Sequence, residues 1–248
     1  MTVLLVVLVI VAAGAAMQRV SGMGLGLLAG PVMSLVLGPV EGILVVNVLA
    51  VVNASIITAA VWRNIDLRKF FTVGSVLVIG AVPGALVVRE FSPAWLQVFV
   101  GAILLIALGI VTFGLRFVPQ PKGVFPGMIA GVAGGFMNTL AGIAGPAITV
   151  YAQAARWDHR VYAATLQPLF VVAGFISVVM KLVTGAGSLA QVDPRIWLCG
   201  LVGMAVGIAA GTLASRCVPR AHAHRLALFM AAAGGCVVLM RGLSGVLA

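Results

Sequence analysis

The chain has 248 residues, of which 62% are hydrophobic and 8% charged, with a formal net charge of +10. Soluble domains carry about 25% charged residues, so no aqueous globule can hide this much apolar surface, and the solvent it faces is lipid. A net positive charge would suggest nucleic acid in a soluble protein, but in a membrane protein basic residues mark cytoplasmic loops, so nucleic-acid binding is set aside.

Taken in order along the chain, ten apolar helical segments are expected, over residues 3–17, 22–37, 42–61, 70–88, 94–115, 124–138, 143–155, 161–183, 196–214 and 225–240. The longer ones approach the ~20 residues that a helix needs to cross the hydrocarbon, and none alternates as a barrel strand would. The stretch from Met1 to Ala16 lacks the basic start of a signal peptide and is read as the first helix. Segments one, two, six and seven are short and could form re-entrant hairpins. The fold class is an all-α integral membrane protein with about 8–10 helical segments. Cys199, Cys217 and Cys236 read as small packing residues, and His159, His222 and His224 fall in predicted loops. Neither set has metal-ligand spacing, and no cofactor is expected.

The basic residues divide unevenly between the two sets of connections. Arg19, Arg63, Arg68, Lys69, Arg116, Lys122, Arg156, Arg160, Arg216, Arg220 and Arg225 fall on one side, and Arg89, Lys181, Arg195 and Arg241 on the other. By the positive-inside rule the first side is cytoplasmic, which puts both termini outside.

An internal repeat follows from an offset of 120 residues. It pairs Gly14 with Gly134, Met17 with Met137, Gln18 with Asn138, Gly22 with Gly142 and Asn47 with Gln167. Residues 1–120 and 121–248 are thus expected to form two repeats of five segments. Because five is odd, the second enters the membrane from the opposite side, giving an inverted-topology repeat. Glycine-rich stretches interrupt the apolar segments at matching places, Gly22-Met-Gly24-Leu-Gly26 and Gly142-Ile-Ala-Gly145-Pro146. Such breaks free backbone groups that lipid cannot satisfy, and a helix N-terminus offers N–H donors to an anion. Gly22, Gly24, Gly26, Gly142, Gly145 and Pro146 are therefore candidate substrate contacts. Gln18, Ser21, Asn138 and Thr139 join them because they flank the breaks, Asn47 and Gln167 because they match across the repeat, and Arg19 because it is the nearest cation. Gly80, Gly84, Gly203 and Gly207 read as helix-packing glycines, and Asn53 as an amide held by an interhelical hydrogen bond.

The ordered breaks, with Gly142-Ile-Ala-Gly145-Pro146-Ala-Ile-Thr-Val-Tyr151 in the second and the later tract Thr165-Leu-Gln-Pro-Leu-Phe170, resemble the TauE/SafE family over nearly the whole chain. The first break departs from the family's usual Gly-x-Gly-Gly-Gly, and Ala144 stands where a glycine is usual. The resemblance implies a transporter of sulfite, or of organosulfur or related organic anions, in a bacterial inner membrane. The residues themselves point to a secondary transporter of a small anion working by alternating access. An anion channel and a non-transporting structural or assembly subunit are the alternatives. No convergent nucleophile–base or metal-ligand set lies within the spans, so an enzyme is not expected. Substrate identity, a coupling ion (proton or sodium) and a homo-oligomeric state are left open.

Overall fold

The computed structural model describes residues 1–113, 120–215, 217 and 219–247. Arg116 and Arg216 of the predicted basic side lie outside these residues, as do the last positions of the fifth predicted segment. Among the described residues the chain forms eleven α-helices: α1 Thr2–Ser21, α2 Leu25–Val36, α3 Pro39–Val61, α4 Leu67–Gly74, α5 Leu77–Glu90, α6 Pro93–Phe113, α7 Phe125–Ala141, α8 Gly145–Ala154, α9 His159–Val183, α10 Pro194–Ala214 and α11 Arg220–Leu247. Helices α4 and α5 together make the fourth predicted segment, interrupted at Ser75 and Val76. Seven spans are long and apolar enough to cross a membrane, so this is a multi-pass helical membrane protein.

Three boundary corrections matter. The first segment is a full 20-residue helix and needs no re-entrant reading. The short segments are α2 and α8, with 12 and 10 residues, or roughly 18 and 15 Å at 1.5 Å per residue, too little to cross the hydrocarbon. Helix α11 is longer than predicted and takes in His222 and His224, which are helical, not loop, residues.

Helix starts follow from local chemistry. Asp66, Asp158 and Asp193 cap α4, α9 and α10 by accepting backbone N–H groups of the first turn, and a proline opens α3, α8 and α10 where no donor is needed. Large apolar side chains such as Leu5, Phe175, Leu198, Val206 and Phe229 stay exposed, as lipid-facing residues must.

Small residues set the packing. Gly203, Gly207 and Gly211 of α10 lie against Leu8, Ala12 and Ala16 of α1, in ascending order, so these helices run parallel. Gly131 and Gly135 of α7 lie against Val73 and Leu77, while Gly80 and Gly84 lie against Val132 and Thr139. Helix α7 thus runs parallel to α4–α5. By contrast α3 and α9 are antiparallel, with Gly174 on Val51 and Ser177 bonded to Asn47, and so are α6 and α11, with Gly101 on Leu239 and Gly245 on Ala94. At Gly80, Gly203 and Gly207 the neighbouring atom is backbone, so any side chain would force two helices apart.

Candidate functional site

Both breaks are built the same way. Helix α1 ends at Gly22, with φ +86°, and α7 ends at Gly142, with φ +71°. These are left-handed C-caps, a conformation that suits glycine because it has no Cβ. In each, the glycine N–H donates to the carbonyl four residues back, Gly22 to Gln18 O at 2.9 Å and Gly142 to Asn138 O at 2.8 Å. The chain then turns back and starts a short helix, α2 or α8.

The two tips meet. A cavity of about 30 Å³ lies between them, lined by Gln18, Gly24 and Gly26 of the first break, Asn138, Gly142, Ala144 and Gly145 of the second, and Met23, Leu27, Ala50, Ile143 and Phe170 around them. The first-turn N–H groups of α2 and α8 border it and have no intrahelical acceptors. Only the Leu25 N–H meets a side chain, Gln18 Oε1 at 3.3 Å. The volume suits about one water molecule. Gly26 is the tightest point, since a Cβ there would run into the Gly142 carbonyl.

Four amides bracket this cavity in two matched pairs. Gln18 Nε2 donates to Gln167 Oε1 at 3.1 Å, and Asn138 Nδ2 donates to Asn47 Oδ1 at 2.9 Å. Donor and acceptor correspond under the 120-residue offset. Gln167 also donates to Gly22 O, which ties α9 to the first break, and Asn47 donates to Ser177 Oγ and Asn138 O, which ties α3 to α9 and to the second. All four amides are buried, and each finds a partner in the protein.

A second space of about 280 Å³ adjoins the first through Gln18. Arg19, Ser21, Gly22, Asn64, His159, Arg160 and Gln167 are among its lining residues. It opens toward the ends of α3 and α9 that carry Arg63 and Arg160, the predicted cytoplasmic face. Arg19 is half-buried there and donates from Nε to Thr212 Oγ1. The Ser21 hydroxyl lies 2.8 Å from Met17 O and 2.7 Å from Met23 O, so it fastens the turn.

Of the sequence-predicted residues, Gln18, Gly24, Gly26, Asn138, Gly142 and Gly145 line the central cavity, while Arg19, Ser21, Gly22 and Gln167 line the vestibule. Asn47 stands behind Asn138. Two candidates are placed elsewhere. Thr139 donates to Gly135 O of its own helix and packs on Gly84, and Pro146 faces an apolar groove with Ala107 and Ile110. Asn53 corrects its expectation, because both amide atoms are buried and have no partner among the described residues. Lys181 is a larger correction. It is counted from sequence among the basic residues of the outer connections, at the end of the segment expected over 161–183, but near the end of α9 it is wholly buried. The cysteines are free, with Cys217 and Cys236 exposed instead of packed. Met23 and Phe170 line the cavity and went unremarked in the sequence, because apolar residues in apolar segments carry no signal.

The sequence matches the family model described as Sulfite exporter TauE/SafE over residues 6–238. No curated protein and no solved structure matches it. With nearly the whole length covered, including both glycine breaks, the chain belongs to the TauE/SafE family of membrane transporters.

Proposed function

We propose that the protein is a secondary transporter of a small anion, sulfite or an organosulfur or organic anion, that binds between the two breaks and is carried by alternating access. The observation that carries this reading is the meeting of two equivalent left-handed caps, Gly22 and Gly142, at one central cavity bordered by helix N-termini. Short helices that end near mid-membrane, on both sides of a shared site, are the usual construction of secondary transporters.

The halves 1–120 and 121–248 are read as inverted repeats. Parallel packing of α1 on α10 matches that of α7 on α4–α5, and the antiparallel pairs α3–α9 and α6–α11 map onto themselves under exchange of halves. In this reading the vestibule at Arg19 and Arg160 is the cytoplasmic entry, the closed cavity is the occluded centre, and both termini are external in a bacterial inner membrane. Arg19 and Arg160 would draw an anion toward Gln18, and donors of the breaks would then replace its hydration.

The test is flux into proteoliposomes with sulfite, thiosulfate, sulfoacetate and simple carboxylates, under imposed proton or sodium gradients. Saturable flux that responds to a gradient of the second ion is expected. Non-saturating flux driven by the anion gradient alone would indicate a channel, and absence of flux for every anion would overturn the reading.

A further inference from the structure

Lys181 is the one lysine wholly withdrawn from the surface among the described residues, and its Nζ has no hydrogen-bond partner there. The Glu41 carboxylate, half-buried in the first turn of α3, acts on it from beyond ion-pair contact. An ionisable residue held this way within a membrane span is costly unless it serves a pathway.

Its position in the fold supplies the pathway. Ser177 and Lys181 are four residues apart and share one face of α9. Ser177 accepts from Asn47 at 2.9 Å, and Asn47 is bonded to Asn138 at the central cavity. A helical side chain leans toward its helix's N-terminus, so Lys181 leans back toward this polar chain. On the opposite side, Gly187 closes over Lys181, packed on Val40 and Leu44. The 120-residue offset makes the point independently. Gln18, Gly22, Ile57 and Val61 line the open vestibule, and their counterparts are Asn138, Gly142, Ser177 and Lys181. Lys181 thus stands where the mirror-image vestibule would open, at the position that Val61 fills in the first half.

We propose that Lys181 is an anion-binding residue of the outward-facing state, holding the small oxoanion after the 184–187 turn lifts and the Arg19 vestibule closes. This rests on the alternating-access reading above. It adds an outer subsite that is covered in this structure, where the Arg19 vestibule is open.

The experiment measures uptake of radiolabelled sulfite, thiosulfate and sulfoacetate into right-side-out and inverted membrane vesicles containing the full chain. Lys181→Met should raise the KM from the outer face about tenfold or more and leave the KM from the inner face within about twofold. Lys181→Arg should stay within about threefold of wild type at both faces. A purely structural charge pair predicts instead equal losses at both faces and recovery in the Lys181→Met/Glu41→Gln double variant, and that result would overturn the proposal. Unchanged outer-face KM in Lys181→Met would overturn it as well. Lys181→Gln takes its place should the methionine variant fail to accumulate in membranes. Wild-type vesicles that move none of the three anions would refute the transport reading itself, an outcome distinct from failure at Lys181 alone.

Discussion

Gly22 and Gly26 are two residues of one turn, yet their substitution by alanine should have different consequences. At Gly22 a methyl group makes only ordinary van der Waals contact, with Ala163 Cβ at 3.7 Å as its nearest neighbour. The cost is that of holding an L-residue at φ +86°, roughly 1–2 kcal/mol. At Gly26 the new Cβ would run into the Gly142 carbonyl oxygen, well inside ordinary contact. The obstacle is backbone, so the two hairpin tips must separate. Overpacking a close-packed site costs about 1–3 kcal/mol, and a rigid obstacle places this case at the upper end. Gly26→Ala should therefore unfold at a lower temperature than Gly22→Ala and should lose anion flux while remaining monodisperse. Gly22→Ala should keep measurable flux. Thermal unfolding of the purified variants, followed by flux in proteoliposomes, decides between them. A Gly26→Ala protein as stable and active as Gly22→Ala would show that the two breaks do not form one rigid junction.

Other outcomes follow from single contacts. Asn47→Leu leaves the Asn138 Nδ2, and Asn138→Leu the Asn47 Oδ1, buried and unmet, at a cost of about 1–3 kcal/mol, whereas the double variant should recover part of that loss in a double-mutant cycle; strictly additive losses would mean that the 2.9 Å bond between them contributes nothing. Asp66 caps α4 and contacts Lys69 at 2.9 Å. Partial burial pushes its carboxyl up, but the Lys69 hydrogen bonds and charge, with the Arg68 N–H, outweigh this and hold it below the ordinary value. Its contribution is then present above the unfolded pKa and lost as pH falls through the lower folded one. Asp66→Ala should cost about 1 kcal/mol at neutral pH, and the difference should vanish only in acid below about pH 4, read from unfolding midpoints against pH. A cysteine at Asn64, on the rim of the vestibule, should react with an impermeant thiol reagent in inverted vesicles and not in intact cells; labelling from outside would reverse the topology.

Much of this architecture was legible because the membrane simplifies the code. Ten apolar segments, two glycine breaks and the matched positions Gln18/Asn138 and Asn47/Gln167 all appear in the linear sequence, and in the fold the four amides form two hydrogen-bonded pairs at one cavity. What the sequence obscured was depth. Lys181 lies near the end of an apolar run, where a charged residue usually reaches the interface, and only the turn at Gly187 folding back over it shows that it does not. Within the first break the structure divides two uses of glycine that the linear sequence leaves together, close approach at Gly24 and Gly26 and backbone handedness at Gly22. Thr139 illustrates a further limit, since flanking a break does not decide which way a helical side chain turns.

The proposed repeat is most informative where it fails. At the central cavity the positions 120 residues apart agree in backbone conformation and in amide chemistry, which is what the proposed exchange between two equivalent states would require. Farther out they diverge. The open vestibule takes its positive charge from Arg19 on α1 and Arg160 on α9, and the positions 120 residues away hold Thr139 and Val40, which carry none. Conversely Lys181 has Val61 as its counterpart. Basic residues thus stand on both sides of the central cavity, but on different helices and at different depths, with arginines at the open vestibule and a lysine under the 184–187 turn. Guanidinium groups at an open mouth remain charged and act at a distance through water, whereas a buried ammonium exerts its full effect only when a negative ligand is brought against it. In the proposed cycle, matched centres with unlike approaches would let an anion be gathered on one face and released on the other without any change in the residues that hold it midway.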